Sequence, residues 1–181
     1  DSVFKNILSA HKEAVLLIKD LPRTVGVQLL ARLKATFPPE LLKRVFLLPT
    51  LSDEEYLAVL QVVDVSLDSF PIGGHTTTMD ALAAHTPVVT MPQAHISGSC
   101  SQGLLTALDM THLIARDTDH YISIALAVGR NETYRQVQRD KIKTSLRKLT
   151  TDTTSVSAWA SMLEFRVRGD PAAFEALLAP V

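Results

Sequence analysis

The sequence predicts an α/β fold, a Rossmann-like parallel sheet with helices on both faces, that ends in a helical tail. Up to about Arg116, short apolar runs alternate with amphipathic helical patterns, and such alternation is typical of parallel strands joined by helices. The apolar runs are nearly continuous, as in strands that are covered on both faces. The length of 181 residues suits one domain with a full core.

Five apolar runs are the predicted strands: Ala14–Ile18, Val45–Leu48, Val63–Leu67, Pro87–Met91 and the weaker His112–Ala115. Right-handed crossovers between parallel strands place the N-termini of the connecting helices at one edge of the sheet. Ligands of such folds bind at that edge, beyond the carboxyl ends of the strands. We therefore expect binding residues directly after the strands.

Apolar residues at helical spacing predict a helix after each of the first four strands. They are Val27, Leu30 and Leu33; Tyr56, Leu57, Leu60 and Val63; Met79, Leu82 and Ala83; and Leu104, Leu105 and Leu108. For the second of these helices, Ser52 is the expected N-cap. Glu55, three residues later, completes a capping box.

After Arg116 the pattern is helical only. Three amphipathic segments follow, around Tyr121–Leu126, Tyr134–Leu149 and Val156–Val167, and Gly169-Asp170-Pro171 is expected to stop the last. We therefore predict one domain over residues 1–181, with a strand–helix core of about residues 1–116 and a helical part of about residues 117–181.

Composition and charge exclude several classes of function. The net charge of −1 provides no basic field for nucleic acid or an anionic membrane. No apolar run approaches the roughly 20 residues that cross a bilayer, and the start at Asp1 has no signal-peptide pattern. The single cysteine, Cys100, favours a reducing compartment, so we expect a cytoplasmic or nuclear location. Because the first residue is not Met, we expect a fragment or a processed chain.

Metal and nucleotide-hydrolysis motifs are missing. The six histidines are scattered without metal-ligand spacing, so we predict no metal site. The sequence has no GxxxxGK[ST] loop and no GxGxxG after a strand. Cys100 has no sequence neighbours that would activate a nucleophile, and an incidental thiol is the simpler interpretation.

Leu67–Asp80 is the stretch whose residues indicate a ligand-binding site. A short strand leads through Gly73 and Gly74 into Thr76–Thr78, which opens a helix. Backbone N–H groups at a helix start are unpaired and favour an anion, and glycines let a ligand approach the backbone closely. The threonine hydroxyls add donors, and Asp80 can accept from a sugar hydroxyl. The stretch therefore indicates a phosphate site, although a capped turn that binds nothing has the same local pattern.

Further motifs surround that stretch in a fixed order. Asp64–Asp68 and Phe70-Pro71 precede Gly74–Asp80, and Ala81-Leu82, Thr86–Pro92 and a serine-rich turn before Leu104 follow it. In these motifs the chain, from about Phe4 to Leu149, resembles the C-terminal half of the O-linked N-acetylglucosamine transferase and SPINDLY family of glycosyltransferases. Several ordered motifs over this length are more specific than one glycine loop.

The resemblance implies a GT-B type glycosyltransferase, of which this chain is the C-terminal, nucleotide-sugar-binding domain, without the N-terminal catalytic half. It implies that His75, Thr76 and Thr77 contact the diphosphate of the donor and that Asp80 binds the ribose, with Gly74 and Thr78 as further donor-binding residues; SPINDLY-type members have threonine at position 78 and animal members have glycine. His95 in the next loop either contacts the ligand, since SPINDLY-type members have a histidine nearby, or faces solvent. His75 is the expected catalytic residue, since it can donate a hydrogen bond to the departing phosphate. The implied partners are a nucleotide sugar, the N-terminal half and a protein acceptor that binds through the missing regions.

The sequence leaves open which nucleotide sugar is the donor and whether the protein catalyses its transfer. UDP-N-acetylglucosamine transferred to Ser or Thr is the preferred interpretation, and GDP-fucose, as in SPINDLY-type members, is the alternative. No cofactor other than the donor is expected. A scaffold that binds nucleotide without turnover, or another sugar-nucleotide enzyme such as an epimerase, would share this half-fold. The fragment alone is expected to be inactive because it lacks one wall of the cleft.

The chain departs from the family pattern at Asp53, at His85 and in the loop Gln93–Ser99, where the family often carries an arginine or a glycine. Asp53 stands where animal members have a lysine that serves the leaving phosphate, and we expect it to support a helix N-terminus instead. The nearest basic residues are Lys43 and Arg44. His85 stands where the family usually has glycine.

Overall fold

The computed structural model describes residues 1–19 and 23–168. The chain forms two compact units, Asp1–Leu146 and Arg147–Val181. The first unit contains strands β1 (Leu16–Ile18), β2 (Val45–Leu47), β3 (Ser66–Leu67) and β4 (Val88–Val89). Its helices are α1 (Ser2–Ala10), α2 (Arg23–Thr36), α3 (Pro39–Leu42), α4 (Asp53–Val62), α5 (Thr76–Ala83), α6 (Cys100–Ala107), α7 (Thr118–Arg130) and α8 (Glu132–Ser145). The second contains α9 (Arg147–Thr150) and α10 (Thr154–Arg168).

The strands lie where the apolar runs predicted them, and all their pairings in the described chain are parallel. β1 pairs with β2, with Leu17 opposite Phe46, and β3 pairs with β4, with Leu67 opposite Val89. The fifth predicted strand contributes one parallel bridge, Ile114 to Thr90, because its first residues form a short 3₁₀ turn. The sheet differs from the prediction in one respect: β1 and β3 are not joined by a ladder within the described residues, and both line a cavity.

The predicted helices are present, except that the segment Tyr134–Leu149 is divided between α8 and α9, and α1 and α3 are additional. The capping box of α4 is confirmed: the Glu55 N–H donates to Ser52 Oγ at 3.2 Å, and the Ser52 N–H donates to Glu55 Oε2 at 2.8 Å. Asp53 lies in the first turn of α4, where a carboxylate complements the helix dipole.

Two groups of buried side chains form the core of the first unit. One, beneath β1 and β2, contains Leu8, Leu33, Phe37 and Leu41. The other surrounds β4 and contains Leu82, Val88, Val89, Leu105, Leu108, Leu113, Tyr121, Val128 and Ile142, each at most 1% exposed. α5 and α7 both contact β4, the strand that follows the candidate site.

The helical part predicted after Arg116 is divided between the units. α7 and α8 belong to the first unit, and α10 belongs to the second. Val156, Trp159 and Leu163 of α10 are more than half exposed. The predicted stop at Gly169-Asp170-Pro171 lies outside the described residues. None of the helices in residues 1–19 and 23–168 combines the length and apolarity that crossing a membrane requires.

Candidate functional site

A cavity of about 820 Å³ lies between β1 and β3. The chain runs from β1 to β2 on one side of this cavity and from β3 to β4 on the other. The strand order therefore reverses between β1 and β3, and ligands of open α/β folds bind at such a reversal, beyond the carboxyl ends of the strands. Apolar residues line most of the cavity, and Gly73, Gly74, Thr77 and Thr78 line it after the carboxyl end of β3.

The N-terminus of α5 is open. His75 occupies the N-cap position, and no side chain in the described part of the chain caps the helix there. The first backbone N–H groups of α5 are thus available to an anion, with the helix dipole oriented to favour it. His75, Thr76 and Thr77 are exposed at this helix start, so all three can reach a ligand.

Gly74 brings the loop backbone against α5. A Cβ atom at this position would lie 2.5 Å from Thr77 Oγ1 and 2.7 Å from Thr78 Oγ1, which is closer than van der Waals contact allows. The close approach therefore requires glycine at position 74. The predicted contact of Gly74 with the donor stays a prediction.

Asp68 holds this loop in place. It directly follows β3 and is 8% exposed. The Gly74 N–H donates to Asp68 Oδ1 at 2.6 Å, and Thr90 Oγ1 donates to Asp68 Oδ2 at 2.6 Å. Because hydrogen bonds to a carboxylate are among the stronger ones in proteins, Asp68 ties the glycine loop to the end of β4.

A second network supports the loop from α6. The hydroxyls of Thr78 and Ser101 are 2.8 Å apart, and Ser101 Oγ donates to the Gly74 carbonyl at 2.9 Å. Thr78 is 3% exposed, so its hydroxyl is committed to this network. The structure places Thr78 as a support of the loop, and its direct contact with a donor stays a prediction.

Tyr121 of α7 completes the support beneath Asp68. Its hydroxyl donates to the Asp68 carbonyl at 2.8 Å, and its ring meets Phe70 edge-on with 5.6 Å between centroids. Burial raises the pKa of Tyr121 far above its usual value, and the charge of Asp68 adds to the effect. The phenol is thus protonated at neutral pH and can donate this hydrogen bond.

Asp80 lies on α5, one turn beyond the helix start, and is half-buried. α4 packs against α5. The pKa of Tyr56 in α4 is raised, first by burial and second by the negative charge of Asp80. Asp80 is therefore near Tyr56, which lines the cavity, but Asp80 itself is absent from the cavity wall. Its predicted role as ribose acceptor stays a prediction.

His95 is exposed on the loop before the short 3₁₀ helix Ile96–Gly98. This loop contacts the glycine loop, because the Gly73 N–H donates to the Ser97 carbonyl at 2.9 Å. A Cβ on Gly98 would lie 2.5 Å from the Pro71 carbonyl oxygen, so the approach of the two loops requires glycine there. His95 thus precedes a segment that contacts the glycine loop, but His95 itself does not line the cavity.

The two basic candidates named from the sequence do not reach the site. Arg44 donates to the carbonyls of Leu8, His11 and Ala14, and Lys43 pairs with Glu40 at 3.1 Å. Both precede β2 and lie at its amino end, whereas the open N-terminus of α5 follows the carboxyl end of β3.

His85 adopts a left-handed conformation, with φ 58°. It follows the last turn of α5, where its N–H donates to the Leu82 carbonyl at 2.9 Å. A left-handed residue after a helix end is usually glycine, which explains why the family pattern favours glycine here. His85 therefore departs from that pattern at a backbone cost and lies at the opposite end of α5 from the site.

Within residues 1–19 and 23–168, no group of three or more His, Cys, Asp or Glu side chains could hold a metal ion. Cys100 begins α6, and its thiol donates to the Ile96 carbonyl at 3.2 Å.

Sequence reasoning missed the residues that position the loop. Asp68, Thr90, Ser101 and Tyr121 had no assigned role, although Asp68 belongs to the motif at the end of β3. A carboxylate directly after a buried strand and before a glycine pair was the available signal for Asp68. No sequence signal indicated the roles of Ser101 and Tyr121, because each contacts the loop only through tertiary packing.

Comparisons with known proteins agree on one family. Residues 2–161 match the family described as glycosyl transferase family 41. A probable UDP-N-acetylglucosamine–peptide N-acetylglucosaminyltransferase SPINDLY of Arabidopsis thaliana is 33% identical over 108 residues, which cover 59% of this chain and 11% of that protein. A UDP-N-acetylglucosamine–peptide N-acetylglucosaminyltransferase of Caenorhabditis elegans is 36% identical over 89 residues, 49% of this chain and 8% of that protein.

A solved structure shares the fold. A mutant O-GlcNAc transferase of Thermobaculum terrenum superposes with a TM-score of 0.78 at 27% identity, over 91% of this chain and 32% of that one. The chain thus spans about a tenth of the Arabidopsis relative (11%) and about a third of the superposed transferase (32%). The predicted assignment to a domain of a GT-B glycosyltransferase fold is confirmed by this likeness.

Proposed function

Because the chain belongs to glycosyl transferase family 41, we propose that it is the donor-nucleotide-binding part of an enzyme that transfers N-acetylglucosamine from UDP-N-acetylglucosamine to Ser or Thr of proteins. The observation that carries the proposal is the open N-terminus of α5, which no described side chain caps, beside a cavity at the strand-order reversal. The likeness to the two named N-acetylglucosaminyltransferases supports this donor.

The reaction needs stabilisation of a departing anion. The acceptor hydroxyl oxygen forms a bond to the anomeric carbon and releases its proton to solvent, while the bond from that carbon to the β-phosphate oxygen breaks and its electron pair leaves with the diphosphate. N–H groups and the dipole of α5 stabilise that developing charge more than the ground state. His75 and Thr76 at the helix start would add side-chain hydrogen bonds, and Asp80 would hold the ribose.

The partners follow from the same proposal. The acceptor protein would bind through regions outside this chain, because the chain spans a small part of its relatives. We propose a cytoplasmic or nuclear location, which the single cysteine supports.

Nucleotide binding tests the proposal on the full-length protein that contains this chain. UDP at about 100 times its dissociation constant should add about 2.7 kcal/mol to the free energy of unfolding, measurable as a rise in Tm, and GDP should add less. Asp80→Ala should weaken UDP binding roughly 10- to 100-fold, since a hydrogen bond to a charged acceptor is lost. Asp140→Ala removes the same charge from the exposed face of α8 and should leave UDP affinity unchanged.

Three outcomes would contradict parts of the proposal. A wild-type protein that binds no nucleoside diphosphate would overturn it. A larger Tm shift with GDP than with UDP would show that GDP-fucose, and not UDP-N-acetylglucosamine, is the donor. Equal affinities of Asp80→Ala and wild type would remove the ribose role. Mass spectrometry of an acceptor protein incubated with the donor then distinguishes an enzyme, which leaves a modified Ser or Thr, from a scaffold, which leaves none.

A further inference from the structure

The proposed donor site is rich in negative charge. Asp68 lines the cavity with its carboxylate committed to the loop, and Asp80 lies near enough to act on Tyr56. A bound diphosphate adds at least two more negative charges. Uncapped N–H groups carry only partial positive charge, so a cationic side chain in the cavity would stabilise a bound diphosphate further.

Lys19 is the described side chain that can provide this charge. It is the only lysine or arginine among the described residues that line the cavity. It directly follows Ile18, the last residue of β1, so it stands at the carboxyl edge, as the loop after β3 does. His11 also lines the cavity, but it precedes β1 and lies toward the amino end of that strand.

Tyr56 holds the ammonium group of Lys19. Lys19 Nζ lies 3.4 Å from the centroid of the Tyr56 ring, a distance that favours a cation–π interaction. Tyr56 is in the first turn of α4, and α4 packs against α5. The ring therefore restrains a flexible side chain that would otherwise be free in solvent, and it does so in the cavity that Gly74 and Thr77 also line.

We propose, resting on the function proposed above, that Lys19 is a catalytic residue that contacts the diphosphate of the donor and stabilises the charge that develops on it, with Tyr56 as its positioning residue. The acceptor hydroxyl oxygen bonds to the anomeric carbon and releases its proton to solvent, while the bond from that carbon to the β-phosphate oxygen breaks and its electron pair stays on that oxygen. Lys19 donates a hydrogen bond to the departing diphosphate without giving up its own proton. A compact ammonium on a flexible stem suits this task.

Calorimetric titration of the full-length protein with UDP and with uridine tests the proposal. Lys19→Met should weaken UDP binding roughly five- to tenfold and should change uridine binding by less than about twofold, because uridine has no phosphate. Lys19→Arg should restore most of the UDP affinity. Lys12→Met, a matched control in the exposed turn before β1, should leave both affinities unchanged.

Variants of the ring test the positioning role. Tyr56→Phe keeps the aromatic face and should bind UDP as the wild type does, whereas Tyr56→Leu should lose part of the affinity that Lys19→Met loses. UDP affinity in Lys19→Met equal to that in Lys12→Met would overturn the inference while leaving the proposed function in place. A wild-type protein that binds neither UDP nor GDP would overturn both.

Discussion

Replacement of Asp68 should loosen the glycine loop and lower stability measurably. The carboxylate is 8% exposed and accepts hydrogen bonds of 2.6 Å from Gly74 N–H and from Thr90 Oγ1. Hydrogen bonds to a charged group contribute roughly 1.5–3 kcal/mol each. Asp68→Ala removes both and leaves two donors unpaired, but water from the adjoining cavity can satisfy part of that loss. We therefore expect a decrease of about 2–4 kcal/mol in the free energy of unfolding.

The asparagine variant provides the matched comparison. In Asp68→Asn, the introduced side chain can accept from the Gly74 N–H with its oxygen and donate to Thr90 Oγ1 with its amide, so both hydrogen bonds persist without the charge. The expected loss is about 1 kcal/mol. Thr90→Val removes only the hydrogen bond from Thr90 Oγ1 to Asp68. Its loss in the free energy of unfolding should lie between those of Asp68→Ala and Asp68→Asn.

Urea denaturation is the assay, with the midpoint and the slope m determined for each variant. In a domain of this size, a loss of 2–4 kcal/mol lowers Tm by roughly 5–15 °C. UDP affinity should decrease in the same order as stability, and Asp68→Ala should bind UDP most weakly, because the loop positions the start of α5. An Asp68→Ala protein within about 0.5 kcal/mol of the wild type would refute the assignment of Asp68 as the anchor of the loop.

Two further substitutions test backbone geometry in α5. Gly74→Ala places a Cβ 2.5 Å from Thr77 Oγ1 and should cost about 1–3 kcal/mol and weaken UDP binding in calorimetry; unchanged stability and affinity would show that the loop has room. His85→Gly relieves a left-handed residue with φ 58° and should raise stability by about 0.5–1 kcal/mol, after the entropy of the unfolded chain is counted. A lower urea midpoint in His85→Gly would show that the imidazole contributes more than its backbone costs.

The sequence alone determined the features whose causes are local. Apolar runs placed the strands, the Ser52 and Glu55 pair predicted the start of α4, and the glycine–threonine order predicted an open helix start at α5. Each depends on residues within one turn or one strand, so neighbours in the sequence carry the signal. The left-handed residue at His85 was detectable only as a departure from the family pattern.

Tertiary structure alone decided how the loop is held and where the cavity lies. Asp68 meets Thr90 across 22 residues of sequence, Thr78 meets Ser101 across 23, and Tyr121 reaches the Asp68 carbonyl across 53. These pairs exist because β3 and β4 lie in parallel register and because α6 and α7 pack behind them. The cavity between β1 and β3 and the placement of Lys19 on Tyr56 have the same origin. Their physical cause is the packing of distant segments, which no local pattern of residues encodes.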